Sequence, residues 1–234
     1  MKQRFIILFA FISICAHSQF YGDLEIDRES ISDWIVDDNQ DYNGTYLFGY
    51  SEGESELRIF GIDSLRIAQL RTYVWQENNW LDTFKLFTNV RIKESSFYSD
   101  QVKGRFVKFN ADGKNQKGLW ILNPWSYEFY EGGEIGSKWR DGIKGKFPQA
   151  STEVLSEEYL EKMNSEELSI MSNEIFARYS YKFRGGGEMD KYFSSQDWYY
   201  SNYESVDQFL TSIEQENISR IKKVEKRKTV ANTK

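Results

Sequence analysis

The spacing of apolar residues changes period once along this chain, near Ile143, and that change fixes the architecture more firmly than any single motif. Before it, short runs of β-branched and aromatic residues are broken by turn chemistry, as in successive strands. Thr45 to Tyr50, Glu56 to Phe60, Leu65 to Trp75 and Thr83 to Lys93 read as strands. In the last, Phe84, Leu86, Val90 and Ile92 alternate with Lys85, Asn89, Arg91 and Lys93, one face wet and one buried, with Phe87 breaking the pattern. Gly104 to Asn110 and Gly118 to Asn123 flank Ala111-Asp112-Gly113-Lys114-Asn115, where Asp-Gly marks a tight hairpin. Strand follows strand without a helix between, which predicts an antiparallel sheet, closed or nearly closed in the manner of a small lipocalin-like barrel. Upstream, Ile31, Trp34 and Ile35 share a helical face behind Ser30, so 19–40 reads as a short helix or an ordered lead-in.

After Ile143 the period is helical. Asn164 and Glu167 form a capping box. Behind it Leu168, Met171, Ile175, Phe176, Tyr179 and Phe183 make one apolar stripe, which predicts a helix running to Gly185-Gly186-Gly187. A short helix follows over Glu188 to Phe193. Ser205 and Gln208 read as a second capping box, opening a final helix with Val206, Phe209, Leu210, Ile213, Ile221 and Val224 inward. The expected class is α+β: an antiparallel β-domain over 19–143, a linker over 144–154, a small all-helical domain over 155–228 and a disordered tail over 229–234.

The first residues point to export. Lys2 and Arg4 precede an apolar run, Phe5 to Cys15, too short to span a bilayer, and Ala16-His17-Ser18 ends it in small residues. This is the pattern of a secretory leader, 1–18, cut between Ser18 and Gln19; lipid attachment at Cys15 is the lesser reading, because Ile14 is not the small residue expected before such a cysteine. Cleavage removes the only cysteine and the only histidine. The remainder has no thiol nucleophile, imidazole base, disulfide or His/Cys zinc site to offer. The formal charge is −6, and loss of Lys2 and Arg4 takes it to −8, which disfavours nucleic acid as a partner. No later apolar run is long enough for a membrane-spanning helix, and no motif requires a cofactor or metal.

Asn173, Glu174, Ile175, Phe176, Ala177, Arg178 and Tyr179, then Tyr181 and Phe183, resemble the N-E-I-[FY]-A-R-[YH]-G core of the YARHG domain. Tyr192-Phe193, Trp198-Tyr199 and Glu214-Gln-Glu-Asn217-Ile218 continue the likeness, over about 155–225. Ser180 stands where the signature has glycine, so either the helix continues there or the backbone contact differs. The resemblance implies an extracellular or periplasmic protein connected with the cell wall, without established catalytic residues.

Each candidate binding residue has a structural reading beside the functional one. Arg178 could offer its guanidinium to a carboxylate of peptidoglycan or of an envelope protein, or could pair with Glu174 or Asp190 or stack on Trp198. Asn173, unfavourable within a helix, is expected to bond a loop backbone, with a ligand as the lesser reading. Tyr181, Trp198, Tyr199, Tyr200 and Tyr203 either close the helical core or stack on sugars. The six tryptophans before the linker (Trp34, Trp75, Trp80, Trp120, Trp125 and Trp139) either form the β core or line a barrel that carries an apolar or sugar ligand. Glu52, Glu54 and Glu56, and Glu131 with Glu134, are the acidic clusters that a cell-wall glycan hydrolase would need; with 36 acidic residues in the chain, such clusters arise by chance. Asp112 reads as a turn residue rather than a calcium ligand. The favoured reading is a secreted, non-catalytic envelope-binding protein, with a small-molecule carrier and a hydrolase as alternatives.

Overall fold

The computed structural model describes residues 26–49, 54–61, 65–76, 78–125, 133–139 and 143–232. The expected leader, Glu52 and Glu131 lie outside them. The described residues form an antiparallel sheet followed by a helical region, the α+β class expected.

The strands are β1 (Ile26–Asp33), β2 (Gly44–Phe48), β3 (Ser55–Phe60), β4 (Ile67–Gln76), β5 (Asn79–Leu86), β6 (Arg91–Lys93), β7 (Ser96–Tyr98), β8 (Lys103–Ala111), β9 (Lys114–Ile121) and β10 (Glu134–Trp139). Their order is β5-β4-β3-β2-β10-β9-β8-β7-β6, with β1 added beside β8. The last strand in sequence lies near the middle, between β2 and β9, and joins two meanders. The Asp112-Gly113 hairpin is as expected. Ala111 pairs with Lys114, and both turn residues have positive φ (49° and 69°), the conformation that Asp-Gly favours in a two-residue loop.

Four expectations are corrected. The sheet is open, because β5 and β6 do not pair. The segment around Ile31 is strand β1: Ser30 caps no helix, and its hydroxyl accepts from Asn110 N at 2.8 Å. The single strand expected over Thr83 to Lys93 is two, separated where Phe87 turns into the core and Asn89 adopts φ 55°. Finally, the core packed on the sheet is built from Tyr42, Tyr46, Phe48, Leu57, Phe106 and Leu119, not from a ring of tryptophans. Tyr42 stacks on Phe106 at 4.0 Å and the tyrosine hydroxyls bond backbone carbonyls, which satisfies their polar ends inside the core. Of the tryptophans only Trp34 is buried there, Trp125 packs at its margin, and Trp75 and Trp80 are exposed.

The helices are α1 (Glu157–Glu161), α2 (Ser165–Ala177), α3 (Glu188–Ser194) and α4 (Ser212–Asn232). The Asn164–Glu167 capping box opens α2 as expected. The second box does not form. Residues 207–209 are a single 3-10 turn, and α4 starts after Thr211, whose hydroxyl accepts from Glu214 N at 3.2 Å while the Glu214 carboxylate accepts from Thr211 N at 2.9 Å. The same reciprocal chemistry is used six residues later than expected. Helix α4 continues past Lys228 to Asn232. Nor does 144–154 act as a spacer: Phe147 and Ala150 are buried in the helical core with Leu168, Met171, Ile175 and Ile221. That core also takes in Phe84 of β5, whose ring meets Tyr179 at 4.7 Å and Phe209 at 5.2 Å. One hydrophobic cluster therefore spans sheet and helices.

Candidate functional site

The signature segment is built inward. Glu174 is 1% exposed, and its carboxylate accepts from Lys146 N and Phe147 N, both at 2.7 Å, and from Arg178 Nη2. Arg178, its side chain 3% exposed, also donates to Lys144 O and Ser151 Oγ at 2.8 Å. The pair thus ties the bend at 144–146 and the 3-10 turn over Pro148–Ser151 to the end of α2. Gly145 has φ +111° and lies against the same carboxylate, where a Cβ would come within 2.3 Å of Glu174 Cδ, so both backbone and space demand glycine. Asn173 bonds its own helix, Nδ2 to Ser169 O at 2.8 Å, rather than a loop.

The helix does not continue to the triple glycine. It ends at Ala177, and Ser180 takes φ +59° while buried. The sharp turn therefore forms with serine in the conformation that glycine adopts freely, and the continuing helix is not what is found. Ser180 O then accepts from Asn202 N (2.8 Å) and Tyr203 N (3.0 Å), which anchors the aromatic loop. Ser180→Gly is expected to stabilise the protein by about 0.5–1 kcal/mol, the relief of left-handed strain less the extra freedom of unfolded glycine. The readout is a higher urea midpoint; the β-branched Ser180→Val should lower it.

The downstream motif is structural for similar reasons. Tyr179 donates to Glu214 at 2.6 Å and accepts from Gln69 Nε2 of β4 at 3.0 Å. Asn217, fully buried, donates to Ala150 O and Glu153 O and accepts from Leu155 N. Phe193 stacks on Phe183 at 5.0 Å, and Trp198, Tyr199 and Tyr181 pack around them, with Tyr199 donating to Tyr181 O at 2.7 Å.

Tyr200 and Tyr203 turn the other way, onto the sheet. Tyr203 donates to Asp82 O of β5. Tyr200 donates to the Asp82 carboxylate and accepts from Arg71 Nη2 at 2.9 Å. Arg71 Nε holds Asp82 at 2.7 Å, its Nη1 holds Glu56 at 2.9 Å, and Arg58 also holds Glu56 at 2.9 Å. Burial opposes ionisation of Glu56, but the Arg58 and Arg71 guanidinium groups prevail and hold its pKa below the usual carboxylate value. Tyr200 is pushed up to about 12: burial of the hydroxyl and its bond to Asp82 outweigh the pull of Arg71. The residue nevertheless remains 45% exposed while its hydroxyl is fixed.

The β4–β5 register extends this surface. Arg71, Tyr73 and Trp75 share a face with their partners Phe84, Asp82 and Trp80. The first part of that face is covered by the helical region. The rest carries exposed rings: Tyr73 over the Arg71 guanidinium at 5.4 Å, and Trp75 edge-on to Trp80 at 5.2 Å. Of the seven residues read as candidates, then, Arg178 faces inward, Asn173, Tyr181, Trp198, Tyr199 and Tyr203 are half-buried, and Tyr200 alone is exposed. Arg71, Tyr73 and Asp82 were not among the sequence candidates, and Trp75 and Trp80 entered only as rings of a β core or barrel lining. The period-two alternation of Arg71, Tyr73 and Trp75 and the hairpin spacing to Asp82 were signals that could have grouped them.

Residues 145–226, the C-terminal part of the chain, match the YARHG domain, and the match begins ten residues before Leu155, so it takes in the stretch that carries the buried Phe147, Ala150 and Ser151. No curated protein and no solved structure matches the chain. Among the described residues no helix is long and apolar enough to cross a membrane, and no cluster of His, Cys, Asp or Glu is arranged to hold a metal.

Proposed function

We propose that the protein is an exported, non-catalytic binding protein of the cell envelope, engaging cell-wall material at the surface where its YARHG domain meets the sheet. The observation that carries this reading is Tyr200: an exposed ring whose hydroxyl is locked by Asp82 and Arg71 across the junction. A pre-fixed aromatic face loses little conformational freedom on binding. Export is supported by the leader pattern before Gln19 and by the YARHG match. A binding role is favoured over hydrolysis because Glu56 and Asp82, the carboxylates of the junction beneath Tyr200, are both engaged by Arg71. A general acid would need a raised pKa, the opposite of what Glu56 has.

Co-sedimentation of the chain from Gln19 onward with purified peptidoglycan sacculi, across a salt series, tests the reading. Pelleting should survive high salt, since aromatic contact is not screened, and Tyr200→Ala should reduce it several-fold. Failure to pellet at any salt would end the wall-binding reading.

A further inference from the structure

We infer that the outer face of the β4–β5 hairpin, Tyr73, Trp75 and Trp80, continues from Tyr200 as a stacking platform for a neutral glycan. The inference rests on the binding reading above and names its ligand class and its principal residues.

Three observations select a sugar. First, the rings form a row fixed by strand pairing. Tyr73 and Trp75 are alternate residues of β4, about 7 Å apart along the strand, and Trp80 stands directly opposite Trp75. Such a row offers successive flat faces to successive sugar rings. Second, the row is bordered by polar groups whose charges cancel: Arg58 and Arg71 against Glu56 and Asp82. An anionic polymer would find no uncompensated cation there, whereas neutral hydroxyl and amide groups suit a border of tyrosine hydroxyl and indole N–H. Among the described residues no hydrogen bond engages the indole N–H of Trp75 or Trp80, so both donors are open to a ligand.

The third observation concerns the competing occupant, a second copy adding its own strand to β5, the terminal strand of the sheet. Gln76 and Asn79 close a two-residue hairpin, and Phe87 N donates to Ala68 O, so Tyr73 and Asp82 form a non-hydrogen-bonded pair. The Asp82 carbonyl therefore points away from β4, along the free edge, and Tyr203 already occupies it. Strand addition would have to displace that bond in the middle of the edge.

The experiment uses the full chain from Gln19, a soluble linear oligosaccharide of β-linked N-acetylglucosamine as probe, and the variant Trp75→Ala/Trp80→Ala. Both residues are about half exposed and the variant loses only their edge-on contact, so it should keep the wild-type far-UV circular dichroism with a modestly lower urea midpoint. Calorimetric titration should show saturable binding by the wild type, weakened about tenfold or more in the variant, as the loss of two stacking contacts implies. Trp75→Phe/Trp80→Phe should recover most of it. If wild type and variant pellet equally with sacculi, the platform is wrong and the envelope reading stands. If neither pellets but the oligosaccharide binds in a Trp75/Trp80-dependent way, the wall reading fails and the platform survives. No heat with the oligosaccharide overturns the platform, as does a concentration-dependent dimer that the variant abolishes, which would make this face a contact between copies.

Discussion

Glu174→Ala should destabilise the protein by about 3–5 kcal/mol, the cost typical of stranding a buried charge. The substitution removes the acceptor of two buried backbone donors, Lys146 N and Phe147 N, and leaves the Arg178 guanidinium without its counter-charge. Against a total stability on the order of 5–15 kcal/mol for a domain, that is a large share. Glu174→Gln should fall between, because it keeps one carbonyl acceptor and loses the charge. Glu174→Leu/Arg178→Met tests the cause. If the cost is that of a widowed charge, the double variant should be markedly more stable than Glu174→Ala, although it removes more polar groups. Urea denaturation followed by far-UV circular dichroism reads all three. Equal destabilisation of the single and double variants would show that backbone satisfaction, not charge pairing, is the dominant role of Glu174.

How much of this was legible in the sequence depended on the range of the interaction. Local chemistry was readable: the Asp112-Gly113 hairpin and the Asn164–Glu167 box were found where expected because three or four residues determine each. The apolar stripe through Phe183 misled, since helical spacing persists past Arg178 while Ser180 reverses the backbone. Phe183 is indeed buried, but against Phe193 rather than on α2. The β4–β5 surface was hidden for another reason. Whether Trp75 and Trp80 face a core or solvent depends on which side of the sheet the helical region covers. That is set by Gln69, Phe84 and their shared partner Tyr179, 110 and 95 positions away. The YARHG likeness was secure in its residues and location, yet the same residues prove to be the framework of the domain. Glu174, Arg178, Tyr179, Glu214 and Asn217 all bond inward, which explains why a signature so specific in sequence indicates no ligand.

The junction itself should depend on Arg71. Asp82 is 2% exposed, and Arg71→Ala leaves its carboxylate with the Tyr200 hydroxyl as its donor from the helical side, while Glu56 keeps Arg58 alone. A loss of about 3 kcal/mol is expected, most of it the uncompensated charge on Asp82. Arg71→Ala/Asp82→Ala should regain part of that loss, since the stranded charge is gone. The pH dependence separates this account from a simple packing defect. The folded pKa of Glu56 lies below its ordinary value of 4.5, so its pairing stabilises the protein at all pH values above that value. The contribution is lost as pH falls through the lower, folded pKa, because the protonated carboxyl no longer pairs with the guanidinium groups. Wild-type stability should therefore be level near neutrality and decline below about pH 4.5. In Arg71→Ala the depression of Glu56 shrinks, so the decline should be shallower, and the gap between variant and wild type should narrow in acid. A gap that stays constant from neutral pH down to the acid transition would mean that Arg71 acts by packing alone, and Tyr200 would then owe its fixed position to van der Waals contact rather than to the charged network beneath it.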